Sequence, residues 1–307
     1  MWYTDVGCVD EDLIVLGTIK NPVFLTGSGD DWALIEGGLT RHAPLVLRQL
    51  HHVLGDIRRI RRWLVTHSHY DHCGLLGQLY PYMPWVTVYA SPETAKAFQS
   101  ERARAVVQKI SDATKSLAAP DEERPELPNP VLPPTVLSDI PITTVVDGDR
   151  VELDGRRSML VRKTPGHSRC QIAYFDESRG RAFVSDALGE LVEESYFCPL
   201  SFDDLAAYRT SIESIANLGA EEIVLGHHGR LTGAQAARAA ADAKDGLERF
   251  ADDARKLLPD ARGALKTVAE QLSQRLHAPS VTFVPQDLHV QSMLRMLDLL
   301  EKDHALA

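Results

Sequence analysis

Basic residues are the minority charge in this chain: 33 lysines and arginines stand against 43 aspartates and glutamates, a formal net charge of −10. A nucleic-acid backbone is held by neutralising its phosphates, so no direct nucleic-acid partner is expected, although a local basic patch can still hold a small anion. Cysteine is scarce. Cys8, Cys73, Cys170 and Cys198 fall at spacings that fit neither a zinc knuckle nor a dense disulfide framework, which leads to free thiols in a reducing compartment. Long apolar runs are missing too: no uncharged stretch of about 18 apolar residues occurs. The opening residues, Met1-Trp2-Tyr3-Thr4-Asp5-Val6, lack a charged segment followed by an apolar one. The expectation is a cytoplasmic protein with no membrane partner.

What is present is enough apolar residue, 44% of 307, for one large domain with an appended element. Short apolar runs bounded by turn residues predict strands at 13–16, 23–25 and 32–36, a helix at 44–53, and a strand at 63–66 that ends on a histidine cluster. A helix is expected from Leu75, a strand at 84–90 and one long helical region over 92–118. Seven prolines, Pro120, Pro125, Pro128, Pro130, Pro133, Pro134 and Pro141, then exclude a helix or central strand and predict an irregular insertion around 119–141. Strands return at 150–153, 158–163, 171–175, 182–185 and 222–225, with a helix over 202–217. Two similar batches of strands and helices predict two sheets with helices outside. From Gly233 the pattern is helical only, with Leu265, Val268, Leu272 and Leu276 and then Leu294, Leu297 and Leu300 at helical spacing.

His67, His69, Asp71 and His72 lie within six positions in a chain of 12 histidines. Imidazole with carboxylate suits Zn, Fe or Mn better than Ca or Mg. In extended backbone the i and i+2 positions of His67 and His69 face the same side. Three further segments follow strand-like runs and carry small residues beside a potential ligand: Thr164-Pro165-Gly166-His167-Ser168, Val184-Ser185-Asp186-Ala187-Leu188-Gly189 and Val224-Leu225-Gly226-His227-His228-Gly229. His42, His51, His52, His277, His289 and His304 have no such context.

The order His-x-His-x-Asp-His, Gly-His, Ser-Asp, Gly-His resembles the metallo-β-lactamase superfamily over residues 13–230. The resemblance implies an α/β fold, the αββα sandwich: a core of residues 1–232 with a C-terminal helical extension, 233–307, as a lid. It implies two divalent metal ions, one held by His67, His69 and His167, the other by Asp71, His72 and His227, with Asp186 bridging. His228 is expected to be a supporting or exposed neighbour. Such a pair makes shared water acidic near neutrality and polarises a carbonyl, so hydrolysis of an acyl or phosphoryl bond follows. Asp186, where several secreted β-lactamases place a cysteine, points away from those enzymes.

A closer resemblance runs through Asn21-Pro22-Val23-Phe24-Leu25, residues 32–38 and 63–76, residues 186–190, Phe202-Asp203-Asp204, and Val281-Thr282-Phe283-Val284-Pro285 with Leu288-His289. It is similar to the quinolone-signal response thioesterases of that superfamily. This implies a thioesterase acting on an aromatic β-ketoacyl-CoA, 2-aminobenzoylacetyl-CoA, in alkylquinolone biosynthesis, with iron as the first metal and zinc or manganese as alternatives. Asp71 and Glu190 are the implied catalytic side chains. Glu190 either meets the substrate's amino group or is a loop carboxylate; Tyr70 either packs on the acyl ring or is structural; His289 and Ser292 either line the pocket or cap the last helix. A lactonase or broad esterase shares the ligand pattern. The resemblance also implies a homodimer and a quorum-sensing regulator as partner, but where the relatives carry an arginine cluster this chain reads Glu248-Arg249-Phe250-Ala251-Asp252-Asp253.

Overall fold

The alternation of side chains along each strand distributes the apolar residues between separate cores. The computed structural model describes residues 1–3, 6–115, 131–155, 157–259, 264–277 and 284–303. In its first half run β1 (Trp2–Tyr3), β2 (Gly7–Asp10), β3 (Leu13–Thr18), β4 (Asn21–Ser28), β5 (Asp31–Ile35), α1 (Ala43–Leu54), β6 (Ile60–Leu64), α2 (Tyr70–Leu79), β7 (Thr87–Ala90), α3 (Pro92–Gln99), α4 (Glu101–Thr114) and β8 (Ile142–Thr144). The second half holds β9 (Arg150–Glu152), β10 (Ser158–Lys163), β11 (Ile172–Asp176), β12 (Arg181–Ser185), β13 (Glu190–Glu193), β14 (Tyr196–Cys198), α5 (Leu205–Ala216), β15 (Glu222–Leu225) and β16 (Arg230–Thr232). Three helices follow: α6 (Gly233–Leu257), α7 (Leu265–Leu276) and α8 (Gln286–Lys302).

Strands β2 to β8 form one seven-stranded sheet in chain order, and β1-β16-β15-β12-β11-β10-β9 form a second. Leu13, Val15, Phe24, Ala33, Ile35 and Leu64 of the first sheet meet Met159, Val161, Tyr174, Phe183 and Val224 of the second in an inner core. The residues between them point outwards. Ile14, Leu16, Leu25, Leu34 and Trp63 pack under α1, α2 and α3, while Ala182, Val184, Ile223 and Leu225 pack under α5 to α8. Both sheets are covered on two faces, which is why their strands read as near-continuous apolar runs. The result is a helix–sheet–sheet–helix sandwich, and α6 to α8 add helices to one outer layer. Phe250, Leu272, Met293, Leu297 and Leu300 share a core with that layer.

Several local expectations are corrected. The long helical region expected over 92–118 is helical as far as Thr114 but divides at Ser100, whose extended backbone and side chain, accepting from Ala103 N at 3.3 Å, cap the start of α4; residues 116–118 lie outside the described residues. Helix α2 begins at Tyr70 rather than Leu75: Asp71 in its first turn complements the helix N-terminus, a signal that the apolar spacing does not carry. The hairpin of β13 and β14 was unforeseen. Of the Pro-rich insertion, residues 119–130 lie outside the described residues. Residues 131–141 run across α2, with Thr135 N donating to Gly77 O at 2.8 Å and Leu132 N to Tyr82 Oη at 2.9 Å. Val281, Thr282, Phe283 and His304 also lie outside the described residues. All four cysteines are free. Among the described residues no helix is long and apolar enough to cross a membrane.

Candidate metal centre

Pairs β5–β6 and β12–β15 are parallel, so their carboxyl ends gather at one edge of the sandwich. His67 and His69 follow β6, Asp71 and His72 occupy the first turn of α2, Asp186 follows β12 and His227 follows β15. The β10–β11 connection brings His167. The backbone at this edge is strained: Glu36 (φ 73°), Ser185 (φ 51°) and His228 (φ 62°) are the non-glycine residues with positive φ among those described, and each stands at the end of a strand reaching the site. Gly226 is needed here because a Cβ would run into Asp186 Oδ1 and lie 3.1 Å from His72 Cε1.

The structure brings all seven expected ligands together. His67, His69 and His167 form one group, Asp71, His72 and His227 another, and Asp186 joins His67 and His72 in a third, each within 4.8 Å between ligand atoms. Asp186 Oδ2 is 3.2 Å from both His72 Nε2 and His167 Nε2, and Oδ1 is 3.5 Å from His227 Nε2, the geometry of a bridge.

The outer nitrogens of four rings are spoken for. His167 Nδ1 donates to Leu200 O at 2.6 Å, His227 Nδ1 to Lys20 O at 2.7 Å and His72 Nδ1 to Glu36 Oε2 at 2.8 Å. Thr66 Oγ1 donates to Glu36 Oε2 at 3.0 Å, so His67 Nδ1, 3.2 Å from the same hydroxyl, donates to it. Each ring therefore turns an Nε2 lone pair inwards. His67 Nε2 and His167 Nε2 consequently face one another at 3.2 Å as two acceptors, and buried Asp186 Oδ1 has no hydrogen-bond partner. This set fits divalent cations: the lone pairs repel unless a positive charge lies between them.

Electrostatics agree. Burial, reinforced by neighbouring rings, holds His67 well below the usual imidazole range and His69 down at about 4, and burial holds His167 at about 3, so all three are neutral donors at pH 7. His72 is the exception. Burial opposes its charge, but Asp186, Glu36 and Asp71 outweigh burial and raise it well above the ordinary value. Asp186 is pushed up by burial yet held well below the carboxylate range by His72, His227 and His167. The carboxylates at this end call for a cation, whether a proton on His72 or a metal in its place.

A cavity of about 270 Å³ opens over the ligands. Tyr70, Glu190, His289 and Ser292 all line it beside His69, Asp71, His167, Asp186 and His227. Ile110, Leu200, Phe202, Val284, Leu288 and Met293 make most of its wall apolar. Tyr70 packs with Leu39, Val284 and Leu288, closing the cavity against the start of α8. Glu190 is 2% exposed and its Oε1 accepts from His228 Nε2 at 2.8 Å, so Glu190 is a buried paired carboxylate, not an exposed loop residue, and His228 is a buried neighbour of the ligands. His289 Nδ1 bonds Ser273 Oγ at 2.8 Å, and the Ser292 hydroxyl donates to Leu288 O at 3.2 Å within α8. Sequence reasoning missed Glu36, which holds both Thr66 and His72; its only signal was a glutamate directly before Gly37-Gly38 at a strand end. Of the histidines without motif context, His42 is buried, His51 and His52 are exposed, and His277 Nε2 donates to Val284 O at 2.6 Å.

Comparison with known proteins gives three findings. The sequence model of the metallo-beta-lactamase superfamily matches residues 17–227. A curated protein, Ribonuclease J of Sinorhizobium meliloti, is 33% identical over 109 residues, 31% of this chain, which spans only 19% of that relative's length. Among solved structures, a metallo-beta-lactamase family protein from Thermus thermophilus is 20% identical with a TM-score of 0.63, covering 97% of this chain and 95% of that one. A metallo-beta-lactamase superfamily protein from Sulfolobus tokodaii is 16% identical (TM-score 0.52; 78% and 86%), and a B3 metallo-beta-lactamase with an active-site glutamic acid is 19% identical (0.56; 81% and 91%). At these identities the structural likeness establishes the fold alone.

Proposed function

The chain belongs to the metallo-β-lactamase superfamily of metal-dependent hydrolases, and on that footing we propose that it is a dinuclear thioesterase whose substrate is an aromatic β-ketoacyl-CoA, of the 2-aminobenzoylacetyl type. The observation that carries the reading is a seven-ligand double site lying under a small, largely apolar cavity. A volume of about 270 Å³ suits an acyl group, and the formal net charge of −10 sets this reading apart from ribonuclease chemistry.

Two divalent ions, when bound, supply a water acidic near neutrality and a Lewis acid for the carbonyl. His67, His69 and His167 would hold one and Asp71, His72 and His227 the other, with Asp186 between; iron, zinc and manganese all suit these donors. Asp71, which also lines the cavity, would hold its ion through Oδ2, the oxygen nearest His72 and His227, and its other carboxylate oxygen would accept the proton of the attacking water. Tyr70, Val284 and Leu288 flank the acyl ring and exclude bulk water. Glu190, fixed by His228, offers a carboxylate to an amino substituent on that ring. A thiol leaving group, with an ordinary pKa near 8.5, departs as thiolate without a dedicated acid.

The test is turnover of 2-aminobenzoylacetyl-CoA beside homoserine lactones, with purified, metal-loaded protein. Thioester turnover dominates on this reading; a preference for lactones moves the protein to the lactonase or broad-esterase alternative. A regulator-binding role is a separate proposal. Its support is weakened because Asp252 and Asp253 on α6 pair with Arg255 and Lys256 of the same helix, where the relatives have arginines. A substitution that abolishes hydrolysis while leaving the cellular phenotype intact would establish that role, and a dimeric mass in solution would establish the homodimer.

A further inference from the structure

Beside the metal cavity lies a second one, of about 340 Å³, between the segment Ser68, His69 and Tyr70 and one face of α4. The two cavities share His69, Tyr70 and Ile110, so they meet along the wall that carries a metal ligand. The α4 side is set by Arg102, Ala103, Val106, Val107 and Ile110, positions i, i+1, i+4, i+5 and i+8, which lie on one helical face. Val106 is 51% exposed, although it is a large apolar side chain on a well-formed helix. Arg102, at the far end of the stripe, makes no ion pair among the described residues. At 1.5 Å per residue, Ile110 and Arg102 are about 12 Å apart along the axis.

We propose that this second cavity is the leaving-group subsite: the acyl part occupies the metal cavity, and the pantetheine arm of coenzyme A runs along Val107, Val106 and Ala103 to bring its phosphates to Arg102. The inference rests on the thioesterase reading and assigns the half of the substrate that the metal cavity is too small to hold. An apolar stripe that starts at Ile110, in the wall shared with the metal cavity, and ends at the Arg102 cation complements a linear arm with an anionic terminus. The CoA thioester is therefore preferred over a thioester of the same acyl group lacking the phosphates, and added salt narrows the preference.

The experiment compares kcat/KM for 2-aminobenzoylacetyl-CoA and 2-aminobenzoylacetyl-N-acetylcysteamine with metal-loaded full-length protein. In Arg102→Glu the CoA-to-cysteamine ratio is expected to fall about tenfold. Val106→Asp, which places a negative charge along the arm's path, lowers it as well. Lys109→Glu makes the same charge change on α4 outside both cavities and is the control. A ratio unmoved by Arg102→Glu and Val106→Asp, or lowered equally by Lys109→Glu, overturns the subsite while the thioesterase reading stands. Wild-type protein inert towards both thioesters removes that reading and the subsite with it.

Discussion

Glu36→Gln is the most informative single change, because it removes one charge behind one of the two metal positions and keeps the side chain's size. Glu36 is 2% exposed, lies 2.8 Å from His72 Nδ1 through Oε2, and accepts from Thr66 Oγ1 with the same oxygen. A hydrogen bond to a charged partner is worth about 1.5–3 kcal/mol net, and loss of such a ligand-orienting carboxylate costs about 10–100-fold in metal affinity. The two ranges meet near 2 kcal/mol, roughly 30-fold at about 1.4 kcal/mol per tenfold. A second effect has the opposite sign: Glu36 helps keep His72 protonated, so its neutralisation also weakens the proton that competes with metal. The proton brings one positive charge and the ion two, so the loss for the ion is larger. The variant therefore binds more weakly than wild type at pH 7, and its deficit relative to wild type widens as pH rises and proton competition vanishes. Competitive titration of chelator-stripped protein against a chromophoric chelator should show one position at wild-type affinity and one weakened. Two wild-type affinities, or a loss at the His67, His69 and His167 position instead, would refute the reasoning.

Other consequences are equally direct. His69→Ala should remove both tight metal binding at its position and hydrolysis, read by elemental analysis and turnover. Gly226→Ala should push Asp186 out of its bridging position, cutting metal content by at least one ion with little change in far-UV circular dichroism. Phe250→Ala, at a fully buried position of α6 in the core shared by α5 to α8, should cost about 3–5 kcal/mol in urea unfolding. His289, held at about 4 by burial and by His277, has a folded pKa below the unfolded value near 6.5. The stability it contributes is full above pH 6.5 and is lost as pH falls towards 4. Hydrogen exchange in α7 and α8 should accelerate over that window, and His289→Gln should flatten the dependence.

The ligands were legible because they are local: His67, His69, Asp71 and His72 announce themselves within one strand end, and His167, Asp186 and His227 each stand beside glycine or serine after an apolar run. The two-sheet sandwich was legible through the doubled strand batches. What escaped depends on non-local pairing. Glu36 reaches His72 only because β5 lies parallel to β6, and no residue near Glu36 in sequence signals that. His228 could not be placed from its position next to His227; its pairing with Glu190 requires β13 to fold beneath it. The break at Ser100 and the early start of α2 were set by capping and first-turn charge, which a search for apolar spacing passes over.

Two metals acting together are the central claim, and metal content measured alongside thioester turnover tests it most directly. The account predicts about two divalent ions per chain as purified, turnover that disappears on chelation, and recovery in step with the second equivalent of added metal. Full turnover by metal-free protein would contradict it.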